Sequence, residues 1–335
     1  MRRLMRVKDE NGVVSILVAM IIMTLLMLIA VGFAALMRRE QRQALDRQLS
    51  TQAFYAAESG VNDAREAVKT AIQNGTALPN TTTCPSTRKD VDASRGIAYT
   101  CLLIDPAPTS AEYDLGANES AIVPLSTTGG EVINSLTISW QDSTNPSTAI
   151  NNGAHQLAPF SGSSFGILRA SIMPINNGGS IPDRNTLINM ARTYFLYPNN
   201  AGTSTTAYGT LPDGQFLDGR CAAAGTTKQC TVVITGLGAR TNMYLRLKAI
   251  YKPISVVITA QGAAGTNVKL VGSQVVIDST GRASDVLRRI QVRMPVNSTS
   301  HVPEFGLEAM TTICKRFTAW PGGATPDPSN PACAL

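Results

Sequence analysis

The longest unbroken apolar run covers residues 13–37, with no charge and only Ser15, Thr24 and Gly32 as non-apolar members. As a helix it is ~37 Å long, enough to cross a ~30 Å hydrocarbon core with some tilt. No second run approaches it, so the pattern predicts one membrane span. After Met37 the pattern turns periodic. Leu45, Leu49, Ala53, Ala57, Val61, Ala64, Val68 and Ile72 recur at steps of three and four, the spacing of one helical face. Arg42, Arg47, Asp63, Arg65, Glu66 and Lys69 fall between them. No Pro interrupts residues 37–74, and Asn74-Gly75 is a stop signal. One helix over 13–74 is expected, ~93 Å long. It joins a transmembrane half (13–37) to an amphipathic continuation (38–75).

The amphipathic half is rich in small residues: Ala53, Ala56, Ala57, Gly60, Ala64, Ala67 and Ala71. Small side chains let another layer approach the helix axis, which predicts a helix laid against a sheet. The helix propensity of Ala accounts for the same residues without such a layer. Gly60 favours the first reading, because a mid-helix Gly costs ~1 kcal/mol and often has a packing reason.

From residue 76 the chain is rich in Ser, Thr, Asn and Gly, with short apolar runs. Strands are expected at 97–104, 136–140, 165–172, 231–235, 244–251, 255–259, 268–277 and 286–294. Residues 186–196 fit helix or strand equally, and 307–317 are faintly helical. Three related segments begin at Thr231, Ser255 and Gln274, each ending near a Gly. Their uneven spacing does not suit a solenoid and predicts an antiparallel meander. The polar stretch 141–164 reads as a linker or long loop. It would separate a first lobe (76–164) from a β-rich lobe (165–320) and a tail (321–335). The expected class is α+β, with the long N-terminal helix packed on a largely antiparallel β ectodomain.

Composition sharpens this picture. The 335 residues are 16% charged and 44% hydrophobic, with mean hydropathy +0.03. These values exclude both a disordered polyelectrolyte and a polytopic membrane protein. Arg2, Arg3, Arg6 and Lys8 before the span are matched by Arg38, Arg39, Arg42 and Arg47 after it, so basic residues do not choose an orientation. The cysteines do. Cys84, Cys101, Cys221, Cys230, Cys314 and Cys333 all follow the span. An even count on one side fits disulfides in an oxidising compartment and places the large C-terminal part outside the cytoplasm. On proximity alone, the simplest pairing is Cys84–Cys101, Cys221–Cys230 and Cys314–Cys333. No Cys-x-x-Cys or Cys/His cluster is present, so no metal is expected.

An ordinary signal peptide fits poorly. The apolar core exceeds the roughly 7–15 residues of such segments, and no small-x-small cleavage site follows it. Gly12 instead separates a polar leader (1–12) from the apolar run. This leader, Gly12, a helix carrying Thr24-Leu25-Leu26, and the later run Gln52-Ala53-Phe54-Tyr55-Ala56-Ala57-Glu58-Ser59-Gly60-Val61 together resemble type IV prepilins, and PilX-like minor pilins in particular. The resemblance covers residues 1–75. It implies that a prepilin peptidase cuts between Gly12 and Val13. It also implies that the exposed helix packs with other pilin subunits in a filament core, and that Ala56, Ala57, Glu58 and Gly60 belong to the family's helix motif. Leu17 departs from the pattern: pilins usually carry there a Glu that neutralises a neighbour's terminal amine. That departure favours a low-copy or tip position. A Cys314–Cys333 loop around Trp320-Pro321-Gly322-Gly323 resembles the disulfide-bounded loop near the C-terminus of many pilins.

Candidate chemistry is sparse. Gly162-Ser163-Ser164-Phe165-Gly166 matches a nucleophile-elbow pattern, but a polar loop precedes it and a strand follows it, where strand and then helix are required. Only His155 and His301 are available as a histidine base. No metalloprotease, phosphate-loop or dinucleotide fingerprint occurs, so neither enzyme activity nor a cofactor is expected. The formal charge of +6 is uneven: residues 1–47 carry +4, 48–239 carry −4, 240–316 carry +7 and 317–335 carry −1. Lys248, Lys252, Lys269, Arg288, Arg289 and Arg293, with Tyr244 and Tyr251, are candidates for a polyanion face, DNA included. Charges set at alternate strand positions to face water, or contacts between subunits, explain the same residues. The expected function is a minor pilin subunit, at the tip or in low copy. The alternative is an adhesin or DNA-capturing module, meeting a host surface or DNA, on one uncleaved membrane helix.

Overall fold

A computed structural model describes residues 11–85, 88–144, 166–175, 183–199, 205–210, 213–221 and 229–296, with side chains from residue 14 onward. The apolar run and the periodic run form a single helix, α1 (Asn11–Asn74). It stops where Gly75 adopts a left-handed φ of 63°. There the Gly75 N–H donates to the Ile72 carbonyl at 3.2 Å and the Thr76 N–H to the Ala71 carbonyl at 3.0 Å. These two bonds satisfy carbonyls that a helix end leaves open. The most apolar part of α1 is long and hydrophobic enough to cross a membrane and is wholly unburied.

The described chain divides into two units. One takes in α1 and the segments up to Asp105, together with Val276–Met294; the other takes in Pro106–Val275. The second unit is therefore inserted, in sequence, between two strands of the first. This division does not follow the 76–164 and 165–320 lobes expected from composition. Composition registers polar stretches, whereas the units are decided by pairing between strands far apart in sequence.

In the first unit, β1 (Lys89–Asp92), β2 (Ile97–Asp105), β13 (Gln274–Ala283) and β14 (Val286–Pro295) form a four-stranded sheet in the order β1-β2-β13-β14. β2 pairs antiparallel with β1 and β13, with Ile104 opposite Ile277 and Leu102 opposite Ser279. A register shift at Thr280/Gly281 marks a bulge. Cys84 is joined to Cys101 on β2.

The second unit holds the larger sheet. Its strands are β3 (Ser110–Leu115), β4 (Ser120–Ser126), β5 (Ser135–Asp142), β6 (Ile167–Pro174), β7 (Arg192–Asn199), β8 (Thr205–Ala207), β9 (Gln215–Cys221), β10 (Cys230–Thr235), β11 (Asn242–Ile250) and β12 (Ile254–Gln261). The order is β3-β12-β5-β10-β9-β7-β6-β11-β4, with β8 beside β10. Most described pairs are antiparallel, but β7 with β9 and β8 with β10 are parallel. Alternation along each strand turns one side inward, and those residues form a single apolar cluster including Leu125, Trp140, Leu168, Tyr194, Ile234, Leu245 and Ile258. Cys221 and Cys230 lie directly opposite each other on β9 and β10 and form the second disulfide. Both described disulfides follow the sequential pairing. Cys314 and Cys333 lie outside the described residues.

The expected meander does not form. The three related segments fall on β10, β12 and β13, and no two of them pair: β10 pairs with β5, β8 and β9, β12 with β3 and β5, and β13 lies in the other sheet. Apolar alternation says which side of a strand is buried and nothing about its neighbour. Residues 186–196 divide between a short helix, α2 (Arg184–Met190), and the start of β7. Within 268–273 only Val271 makes an isolated bridge, to Ser126, so the expected 268–277 element begins at Gln274.

Candidate functional site

The seam between α1 and the first unit's sheet is built from very small residues. Ala53, Ala56, Ala57, Val61, Ala64, Val68 and Ala71 are buried along one face of the helix. Leu45 and Ile72 extend the periodic stripe in sequence but stay exposed; Ala71 is buried at the end of the stripe instead of Ile72. Leu49, Ala53 and Ala56 meet Ile97, Ala283 and Val286 at the membrane-proximal end of the seam.

Two glycines define how close the layers come. A Cβ placed on Gly60 would overlap the Ser279 Oγ and stand 3.1 Å from Tyr99 Cγ. A Cβ placed on Gly281 would overlap the Ala53 carbonyl oxygen and the Ala57 amide nitrogen. Helix backbone and strand backbone are therefore nearly in contact at Gly281. Of the resemblance motif, Ala56, Ala57 and Gly60 face the sheet, while Glu58 points to solvent. Phe54 and Tyr55, in edge-to-face contact at 5.9 Å, are also exposed.

A polar clasp lies midway along the seam. Asp63 on α1 accepts from Lys89 Nζ and from the Tyr99 hydroxyl, each at 2.8 Å. The Lys89 hydrogen bond first, and the Tyr99 one second, hold the Asp63 carboxyl below its ordinary 3.8, against a smaller opposing effect of burial. A lowered carboxyl stabilises the fold above its unfolded value and loses that contribution as pH falls through the lower folded value. The effect is small because water screens an exposed pair. Acid unfolding followed below about pH 4 is expected to show a pH-dependent component for the full chain that Asp63→Asn lacks. Parallel curves for the two proteins would remove the clasp from the account.

Gly12 and Val13 lie in the first turn of α1; their surroundings and residues 1–10 are outside the described residues. Leu17 is 58% exposed on the bare half of the helix. Ser164, His155 and His301 are outside the described residues as well. Among the described residues no cluster of His, Cys, Asp or Glu could hold a metal. An open groove of about 590 Å³ lies beside the clasp, lined by Asp63, Glu66, Thr70, Thr76 and Lys89 among others.

The six candidate cations divide between the two units. Arg288, Arg289 and Arg293 belong to the first unit, Lys248, Lys252 and Lys269 to the second. Successive residues on a strand point to opposite sides, and β14 follows that rule. Arg288 donates to Ser50 Oγ on α1 at 2.7 Å. Arg289 grips both carboxylate oxygens of Asp278, which holds its guanidinium above the usual range. Lys252 Nζ stands 3.9 Å from the carboxylate of buried Asp142.

Lys248 lies in a basic cluster. The β6–β11 register sets it opposite Arg169, with Arg246 opposite Ser171 two positions along. Sequence reasoning missed Arg169 and Arg246. The available signal was an isolated cation at a solvent-side position of an otherwise apolar strand, and only the pairing reveals that two such strands are neighbours. No family model matches the chain, and neither a curated protein nor a solved structure matches it.

Proposed function

We propose that this chain is a minor pilin subunit, cut by a prepilin peptidase between Gly12 and Val13 and assembled with other pilin subunits into a type IV pilus or related filament. The observation that supports the reading is the division of labour along α1. One uninterrupted helix is bare over its apolar half and seated by alanine and glycine on a sheet over the other half. Such a helix can leave lipid for a bundle of like helices, exchanging one apolar environment for another, while the seated half carries the β-rich units with it. The two disulfides suit an extracytoplasmic location for those units. Leu17 supplies no charge for a neighbour's terminal amine, which favours a tip or low-copy position.

Co-expression with a prepilin peptidase tests this directly. The expected result is a mass loss equal to residues 1–12, abolished by Gly12→Val. An unchanged mass in both proteins overturns the reading. It would leave a single uncleaved membrane helix presenting an adhesin or DNA-capturing module, with a host surface or DNA as its partner.

A further inference from the structure

We propose that the solvent side of the second unit carries a site for a tetrahedral oxyanion, a phosphate or sulfate group, formed by Arg169, Arg246, Lys248 and the Ser171 hydroxyl. The placement follows from two neighbouring antiparallel strands. On β6, Arg169 and Ser171 alternate with the buried Leu168, Ala170 and Ile172; on β11, Arg246 and Lys248 alternate with the buried Leu245, Leu247 and Ala249. The register sets Lys248 across from Arg169 and Arg246 across from Ser171, so the four side chains share one side of the sheet. They line a small depression to which no other described residue contributes.

Three basic side chains thus share one small area of the sheet. Burial first, and the positive charge of Arg246 second, lower the pKa of Arg169; Asp213 works in the opposite direction. The negative charge of an anion seated among them would offset both effects. Guanidinium groups and an ammonium suit the several oxygens of phosphate or sulfate better than a single-point acceptor. The Ser171 hydroxyl lies 3.1 Å from Thr193 Oγ1, so it can accept from Thr193 and donate outward. Beside the cations, Arg169 stacks over the Phe195 ring at 5.8 Å, and Phe195 meets the exposed Phe216 at 5.3 Å. That apolar shelf suits an oxyanion carried on a flat ring. The site requires no prepilin processing and stands apart from the pilin reading.

The test is equilibrium dialysis of radiolabelled inorganic phosphate against the full chain in non-ionic detergent, at constant ionic strength. Saturable binding displaced by sulfate is expected. Lys248→Gln and Arg246→Gln should each weaken it about tenfold, as expected for losing one charge-assisted contact. Lys269→Gln, an exposed lysine on the same unit outside the depression, should leave it unchanged. Arg246→Lys keeps the charge and should bind more tightly than Arg246→Gln. Thermal unfolding of each variant separates lost binding from lost folding. Stronger displacement by thymidine 5′-monophosphate than by phosphate assigns the site to a ring-borne group, and equal displacement to the free anion. No saturable binding up to about 10 mM, or equal affinity in wild type and both Gln variants, overturns the proposal.

Discussion

Gly281→Val is expected to detach the amphipathic half of α1 from the sheet of the first unit. A side chain there would meet the Ala53 carbonyl and the Ala57 amide, and a helix backbone cannot rotate aside as a side chain can. Overpacking in a core costs about 1–3 kcal/mol and more where nothing yields, so a loss of about 3 kcal/mol or more is expected. Gly60→Ala is expected to cost less. Its nearest obstacle is the Ser279 hydroxyl, which can change rotamer, and Tyr99 then needs to move only slightly. Urea unfolding of the full chain in detergent should rank the two in that order. Limited proteolysis should cut at Arg65 or Lys69 sooner in Gly281→Val. A wild-type midpoint for Gly281→Val would show that α1 is not seated against this strand.

Trp140→Ala is expected to destabilise the second unit by about 3–5 kcal/mol, the usual range for removing a large buried ring. Trp140 is fully buried on β5. Its register partner on β10 is Cys230, which is bonded to Cys221, and Gly219 on β9 lies under the ring, where a Cβ would collide with it. Disulfide, glycine and indole thus form one packed unit across three adjacent strands. Trp140→Phe is expected to cost less than half as much. It keeps most of the ring volume and removes an indole N–H that has no hydrogen-bond partner among the described residues. Far-UV circular dichroism in urea measures both. Similar midpoints for Ala and wild type would contradict the packing.

Much of this architecture was legible in the pattern of residues. The helix over 13–74 was predictable because its signals are local: a long apolar run, then a three-and-four stripe, then Asn74-Gly75. The sheet beneath it was also inferable, since Gly60 among alanines has little purpose on an open helix. Strands with clean alternation, such as β5, β10 and β12, were found. β4 was missed because Pro124 interrupts it; as the last strand in the sheet order it tolerates a residue that cannot donate to a ladder. β9 was missed because Asp218, Gly219 and Arg220 break its alternation.

The candidate basic face was less legible. Lys248, Arg288 and Arg289 look alike in sequence, each a cation in or beside an apolar strand. Their fates differ because Arg288 reaches the helix, Arg289 is held by Asp278, and Lys248 joins Arg169 and Arg246. Those differences depend on partners contributed by strands distant in sequence.

What the sequence determined by itself is therefore what lies within a few turns of helix or one strand length: a membrane-length helix continued by a small-residue face, the buried side of most strands, and disulfides between near neighbours. The tertiary structure alone decided that β2 pairs with β13 around an inserted unit, that Gly281 comes against the backbone of α1, and which cations meet. The physical reason is that hydrophobic periodicity specifies a face, whereas partner and register are settled only when distant segments compete for the same ladder of hydrogen bonds and the same core.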